Sequence, residues 1–357
     1  MNENDKGPSS MVIGYWMSDR KSQKLNWIEF GKVCRQHGYE LVKLDLEKPL
    51  EDQGPFAVIL HKLTEIIARN DEKAIQIIDR IEQYIKDHPK VLIIDPLDSV
   101  RTLLDRYKTY NVVLNTTLNN IDVFTPTFVE ILSTNVKENI KKLKNAGVTF
   151  PFICKPFVAQ GTTYCHQMSV IFNERGVADC KPPCVAQSFI NHNAILYKLY
   201  VVGDHYQMVE RPSLKNFYAS NDDRDTITFD SHSVSKSDSS SELSVLDPSE
   251  SAKGSSIDPI KLHSIVKILG SYLNMSLYGV DVVVENDTNR HAIIDINAYP
   301  GYDGFPDFFG KLIDCVISRR AQSVCSKAYF EDSGFDTSDS SDEKKSRAKL
   351  NSINQYN

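Results

Sequence analysis

Several signatures of nucleotide enzymes are missing from this chain. It has no G-x-x-x-x-G-K-[ST] run, no H-R-D or D-F-G pair and no glycine-rich dinucleotide fingerprint. P-loop enzymes and protein kinases of the usual type are thereby excluded. Its seven cysteines, Cys34, Cys154, Cys165, Cys180, Cys184, Cys315 and Cys325, contain no C-x-x-C pair. Their odd number and scatter argue against a secreted disulfide framework and suit reduced thiols in a cytoplasmic protein. No apolar stretch approaches the ~20 residues that a bilayer-spanning helix needs, and Met1 to Ser10 has no apolar signal core. Nor is there an excess of positive charge: Lys+Arg 41 against Asp+Glu 47 gives a net charge of −6. That excludes a whole-surface binder of nucleic acid or anionic membrane, while leaving room for a local basic cleft.

The 357 residues, 41% apolar and 25% charged, have the balance of a globular protein of two or three domains. Short apolar runs at Met11 to Tyr15, Tyr39 to Leu44, Ala57 to Leu60 and Val91 to Asp95 read as strands. Helical patterns over Lys24 to His37 and Leu63 to Tyr84 alternate with them. Such alternation predicts an open, largely parallel sheet with helices on both faces. Ligands collect at the carboxyl ends of such strands, which places Lys21, His61, Lys62 and Pro96 to Asp98 on one rim. Further on, Phe152 to Phe157, Met168 to Asn173, Cys184 to Phe189, Tyr197 to Val202 and Tyr206 to Arg211 predict an antiparallel-rich module. Ser231 to Ser256 holds 12 serines in 26 residues, a composition that predicts a mobile surface loop. A helix is expected over Asp258 to Leu273. The polar residues after Phe330 read as a disordered tail.

Tyr278 to Ala298, YGVDVVVENDTNRHAIIDINA, carries the chemistry. Two β-rich runs flank the turn signal Asn286-Asp287-Thr288-Asn289. With the turn centred on Thr288, Val283 faces Ile293, Glu285 faces His291 and Asp281 faces Asp295. Asn297 then points from the same sheet face as Asp295. Two carboxylates facing each other among Val, Ile and Gly repel, and a divalent cation removes the repulsion. Two Asp and one Asn are hard oxygen ligands, suited to Mg²⁺ or Mn²⁺, which implies a nucleoside triphosphate. Spacing alone leaves open a solvent-facing hairpin with incidental acids. Lys155 in FICKPF and Lys198 in LYKLYV are the candidate phosphate grips, because a lysine in an apolar strand loses hydration unless an anion compensates. Each alone reads equally as a lysine snorkelling to the surface.

Taken together, these strings resemble the ATP-grasp fold, and within it the inositol 1,3,4-trisphosphate 5/6-kinase (inositol-tetrakisphosphate 1-kinase) family. The segments concerned are Gly14-Tyr15-Trp16, His61-Lys62-Leu63-Thr64, Asp95-Pro96-Leu97 to Arg106 and FPFICK ending at Lys155. They continue with QSFINHNAILYK from Gln187, RPSLKNF from Arg211 and DINAYPGYDG from Asp295. Residues 12–309 are covered in order. The run from Lys155 to His166 is one residue longer than the family pattern, around Tyr164-Cys165.

The resemblance implies an α/β ATP-grasp fold: an N-terminal open parallel sheet domain (11–115), a central lid (116–215) and a C-terminal domain with the metal hairpin (216–330). These lie between disordered ends, 1–10 and 331–357, with the serine-rich loop at 231–256. It implies that Gln187, Ser188, Phe189 and Ile190 form the hinge strand meeting adenine. Arg106, Lys155, Lys198, Ser213, Ser231 and Ser235 would lie around ATP. Asp281, Asp295 and Asn297 would hold two Mg²⁺ ions. Lys21, Lys62, His166, Lys198, Asn297 and Gly301 would contact the inositol phosphate. The implied reaction is transfer of the ATP γ-phosphoryl to a ring hydroxyl, with Lys198, Asp295 and His166 nearest the chemistry and no strong general base. A monomer acting on two small polyanions, with no nucleic-acid partner and no membrane insertion, is expected. The alternatives are an ATP-grasp carboxylate–amine ligase and a non-catalytic inositol-phosphate binder. Lys21, Lys62 and His166 together favour several phosphates over one carboxylate and one amine.

Overall fold

A computed structural model describes residues 11–23, 25–162, 164–219, 223–250 and 257–332. The segments 1–10 and 251–256 and the tail beyond 332 lie outside the described residues, so the expectations for both termini are not addressed. Contacts divide the chain into Met1–Val316, which carries the sheets below, and Ile317–Asn357.

The first sheet is built from β1 (Met11–Trp16), β2 (Tyr39–Lys43), β3 (Val58–His61) and β4 (Leu92–Ile94), in the order β2-β1-β3-β4 and parallel throughout. Short α1 (Asp19–Ser22) and α2 (Trp27–Gln36) follow β1. The predicted start at Lys24 moves to Trp27 because the Asn26 side chain caps the helix, accepting from the Glu29 N–H at 3.2 Å. The single long helix expected over Leu63 to Tyr84 is two, α3 (Thr64–Arg69) and α4 (Glu72–Asp87). Asn70 turns left-handed (φ 50°) and ends the first, and Asp71 caps the second by accepting from the Ala74 N–H at 2.8 Å. Phe30 and Cys34 of α2 bury one face of the sheet, and Ile77, Ile78 and Ile81 of α4 bury the other.

The chain continues through α5 (Leu97–Leu104), α6 (Arg106–Leu114), β5 (Val123–Phe124), β6 (Phe128–Ile131) and α7 (Val136–Ala146). Next come β7 (Phe152–Pro156), β8 (Gln167–Ile171), β9 (Cys184–Ser188), β10 (Ile195–Val202), β11 (His205–Pro212) and β12 (Ile227–Asp230). Then follow α8 (Ser231–Val234), α9 (Pro259–Leu273), β13 (Leu277–Val284), β14 (His291–Ala298) and α10 (Phe308–Asp332). One five-stranded antiparallel sheet has the order β12-β8-β7-β9-β6. The other runs β11-β10-β13-β14-β5, with only β5 parallel to its neighbour. Leu103 of α5, Val113 of α6 and Ile265 and Leu269 of α9 pack on it against Leu199, Val280 and Ile296. The serine-rich segment does not open as a loop: Asp230 caps α8, accepting from the Ser233 N–H at 2.9 Å, and Val234 is buried beside Phe229.

The first sheet is tied to the sheet that holds β13 and β14 by Asp95, just past β4. Its buried carboxylate accepts from the backbone N–H groups of Ser276 (2.7 Å) and Leu277 (2.8 Å) at the start of β13.

Candidate active site

In the β13–β14 hairpin Asp281 stands opposite Asp295, as the sequence spacing predicts. The register then departs from expectation. Val282, not Val283, pairs with Ile293, Val283 pairs with Ala292, and Val284 rather than Glu285 pairs with His291. The cause is a β-bulge that makes Ile294 an extra residue. The bulge turns the Ile294 carbonyl to the sheet edge, where it accepts from Lys155 Nζ (2.8 Å) and the Tyr110 hydroxyl (3.0 Å). Asn297 pairs with Gly279, where a Cβ would come within 3.4 Å of the Leu199 carbonyl oxygen, so glycine lets β10 and Pro300 close in beside it.

The cations converge on these acids from three elements. Lys198 on β10 lies directly across from Asp281 and forms an ion pair with it. Burial pushes the Lys198 ammonium pKa down, but the charge and hydrogen bond of Asp281, with the Tyr200 and Asp295 charges, together outweigh it and hold the pKa above the usual lysine value. For Asp281 burial wins, and its pKa is raised despite Lys198. Lys155 on β7 is buried, with the Gln187 side-chain oxygen at 2.7 Å and the Tyr110 hydroxyl at 3.1 Å. Burial lowers its pKa to about 8, against the opposing charge of Asp295. Arg106, at the start of α6, is 1% exposed. It donates to the carbonyls of Pro156 (2.5 Å), Val158 (3.3 Å) and Cys165 (3.2 Å) and lies 3.5 Å from Asp295. Its Nε has no hydrogen-bond partner among the described residues, a buried donor left for a ligand.

A cavity of about 950 Å³ connects these groups, a size that suits a nucleotide with a small second substrate. Every residue to which the resemblance assigns a role lines it, whereas His61 and Pro96 to Asp98, also placed on the strand-end rim, do not. Gln187, Ser188, Phe189 and Ile190 form an apolar slot with Ile153, Met168 and Phe229, and Ser213, Ser231 and Ser235 border it. Arg106, Lys155, Lys198, Asp281, Asp295 and Asn297 line it too, as do Lys21, Lys62, His166 and Gly301. Lys62 donates to the Tyr299 carbonyl and lies 5.5 Å from the Tyr299 ring centroid. Burial, helped by the charge of Lys21, lowers its pKa to about 7. The His166 ring stands 5.5 Å from that of His232, and burial lowers its pKa too.

The strand-end argument fails for His61, which turns inward. Its Nε2 pairs with the Asp95 carbonyl at 2.8 Å, and burial lowers its pKa to about 4. Sequence reasoning also missed Gln160, Arg211 and His232, which line the cavity, and Tyr110 behind Lys155. It missed His192 as well, whose ring bridges the Ile190 carbonyl (2.6 Å) and the Ser213 hydroxyl (2.7 Å). Only Arg211 had a local signal, opening the RPSLKNF string.

The donor set fits a hard divalent cation. Two facing carboxylates and one amide oxygen, with no thiol or imidazole among them, suit Mg²⁺. Only two of the three are carboxylates, and among the described residues no trio of His, Cys, Asp and Glu gathers anywhere. The fit therefore depends on Asn297. No described helix is long and apolar enough to cross a membrane.

Two antiparallel-rich sheets with a triphosphate-sized cleft between them, basic strand residues from both and facing carboxylates on one, define an ATP-grasp protein. Known proteins narrow this. A family profile described as the inositol 1,3,4-trisphosphate 5/6-kinase ATP-grasp domain matches residues 118–318, and the pre-ATP-grasp domain of the same kinases matches residues 12–100. The chain belongs to the inositol 1,3,4-trisphosphate 5/6-kinase family. It is 44% identical over 329 residues to an inositol-tetrakisphosphate 1-kinase of Xenopus laevis, covering 90% of this chain and 83% of that protein. A Danio rerio protein of the same name is 44% identical over 320 residues, covering 88% and 80%. Among solved structures, the D-cycloserine synthetase DcsG superposes with a TM-score of 0.56 at 12% identity, covering 87% of this chain and 99% of that one, a likeness of fold alone.

Proposed function

We propose that this protein is an ATP-dependent inositol polyphosphate kinase. It transfers the γ-phosphoryl group of ATP to the 5- or 6-hydroxyl of inositol 1,3,4-trisphosphate and to the 1-hydroxyl of inositol 3,4,5,6-tetrakisphosphate. One observation carries the reading: a single cavity is lined by the facing carboxylates and their lysines and also by the neighbouring cations Lys21 and Lys62, with His166 besides. Those groups suit several phosphates and not the single carboxylate and amine of a ligase.

In this reading adenine occupies the slot along Gln187 to Ile190, with Ser213, Ser231 and Ser235 around the nucleotide. Asp281, Asp295 and Asn297 would hold Mg²⁺, two ions in all, which would supply charge neutralisation for the transferring phosphates. Lys155 and Arg106 bind phosphate oxygens. Lys198 gives up part of its pairing with Asp281 to follow the moving phosphoryl group. The ring hydroxyl loses its proton as its oxygen forms the new P–O bond and ADP departs. His166 and Asp295 are the acceptors assigned to that proton, and a loose transition state asks little of either. Lys21, Lys62, Asn297 and Gly301 orient the ring. The segments 11–115, 116–215 and 216–330 each contribute one part of this site, and a cytoplasmic monomer suffices for the reaction.

The test is incubation with ATP, Mg²⁺ and a panel of inositol phosphates, with products resolved by isomer. Phosphorylated inositol with matching ADP is expected. Binding without ADP formation, or phosphate released only with amino-acid pairs, would reject the proposal.

A further inference from the structure

We infer that Gln160 is a positioning residue that aims the Asn297 amide oxygen into the phosphate end of the cleft. This rests on the reading of Asn297 as a metal ligand.

Two observations carry it. The first concerns the outer edge of β14. Strand β5 pairs there only with His291 and Ala292. Because the Tyr299 N–H donates to Leu277 on the β13 side, strand alternation turns the N–H and C=O of Ala298 outward. No strand meets them, and Gln160 does. Amide oxygen and nitrogen are assigned from the bonds they make, and one orientation of Gln160 satisfies both backbone groups of Ala298, provided that the Asn297 amide is turned with it. In it Nε2 donates to the Ala298 carbonyl (3.0 Å) and Oε1 accepts from the Ala298 N–H (3.1 Å). The same oxygen then lies 2.6 Å from the terminal amide atom of Asn297. An oxygen at that distance requires Asn297 to present its Nδ2 to Gln160. Its Oδ1, the only atom of that amide able to bind a cation, is then turned away from Gln160 and left free for a ligand of the cavity that Asn297 and Asp295 both line. Gln160 thus continues along the β14 edge what Lys155 begins at the Ile294 carbonyl.

The second observation fixes Gln160 itself. Gly161 has φ +87°, and a Cβ there would lie 2.8 Å from the Thr64 carbonyl oxygen and 2.7 Å from Ala68 Cβ. Only glycine lets the loop rest on α3 in this way. The helix begins two residues after Lys62, so the loop is braced between the segment carrying Lys62 and the metal-bearing strand.

The test measures Mn²⁺ binding in the presence of ADP, by electron paramagnetic resonance, without turnover. Gln160→Met fills the same space but cannot accept a hydrogen bond. It is expected to weaken Mn²⁺ binding about five- to tenfold, the effect of one hydrogen bond, with the metal-free melting temperature unchanged. Gln160→Glu keeps both acceptor bonds and is expected to retain Mn²⁺ affinity. Wild-type affinity in Gln160→Met, or equal loss in Gln160→Met and Gln160→Glu, would overturn the inference. Asn297→Ala separates the two levels. If it leaves Mn²⁺ binding intact, the ligand assignment itself fails; if it weakens binding while Gln160→Met does not, only the role of Gln160 fails.

Discussion

An ammonium group held out of water gives up its proton more readily, and in Lys62 burial together with the neighbouring Lys21 charge brings the pKa to about 7. Below that pH the free protein carries the charge; above it the proton is gone and must be recovered when a polyanion binds. The substrate's phosphates also lose protons near and above neutrality and so act in the opposite sense, and the Lys62 contribution is read as the difference between wild type and Lys62→Ala. Through that contribution kcat/KM for the inositol phosphate is expected to fall as pH rises through 7, approaching about tenfold per unit for the one proton taken up. Lys62→Ala is expected to remove it and to raise KM for the inositol phosphate on the order of 10- to 100-fold, the range of a charged hydrogen bond. KM for ATP should stay near wild type. Initial rates from pH 6.5 to 9 with each substrate varied would check both, and equal effects on the two KM values would exclude Lys62 as an inositol-phosphate contact. Asp295 offers a second test. Asp295→Asn keeps the shape but removes one of the facing charges, so turnover is expected to drop by about 100-fold or more, with a higher Mg²⁺ requirement. Arg106 keeps its three carbonyl partners in that variant, so the fold should persist. A Mg²⁺ titration of the rate, with circular dichroism, separates the two outcomes.

At the scale of elements, the strands were legible because buried strands are short apolar runs bounded by turn residues. The Asp281–Asp295 pairing agrees with the count from the turn only because two departures cancel: next to the turn the partners' numbers sum to 575, one short of the expected 576, and the bulge restores the count. The bulge at Ile294 was not legible. It is fixed by what meets the far edge of β14, Lys155 and Tyr110, both more than a hundred residues away. The break between α3 and α4 escaped because apolar periodicity runs through it, while Asn70 and Asp71 act through backbone angle and capping. Asp95 belongs to the same class: it lies at a strand end that marks a ligand rim, yet its carboxylate is spent on the Ser276 and Leu277 N–H groups. Asp95→Ala strands two buried donors and is expected to destabilise the protein by about 3 kcal/mol. Asp95→Asn can accept through one oxygen only, and should fall between Asp95→Ala and wild type. Urea unfolding of the three proteins would check the order; an alanine variant as stable as wild type would show that Asp95 does not fasten β4 to β13.

Over the whole molecule, charge is distributed against its sum. The chain carries −6, yet the cleft is lined by seven Lys or Arg residues and five Asp or Glu residues, with three histidines besides. The long family strings located most of this lining, since they are peculiar enough to map residue by residue. Gln160, His192 and Tyr110 were invisible, because their roles come from partners that only the fold brings near. An acidic body around a basic cleft has a consequence for how the two substrates respond to salt. In the proposed reading the surface repels both polyanions at long range, while Lys21 and Lys62 attract the inositol phosphate through charge, and no apolar slot assists it. ATP has the slot along Gln187 to Ile190 as well. Raising ionic strength from 0.05 to 0.5 M shortens the screening length from about 14 to about 4 Å. KM for the inositol phosphate is therefore expected to rise on the order of tenfold, KM for ATP distinctly less, and kcat little, since the pairs beside the reacting phosphoryl group are buried from salt. Steady-state kinetics in sodium chloride at fixed free Mg²⁺ would decide it. A KM for the inositol phosphate that stays flat, or that rises no more than that for ATP, would mean that Lys21 and Lys62 do not hold the second substrate.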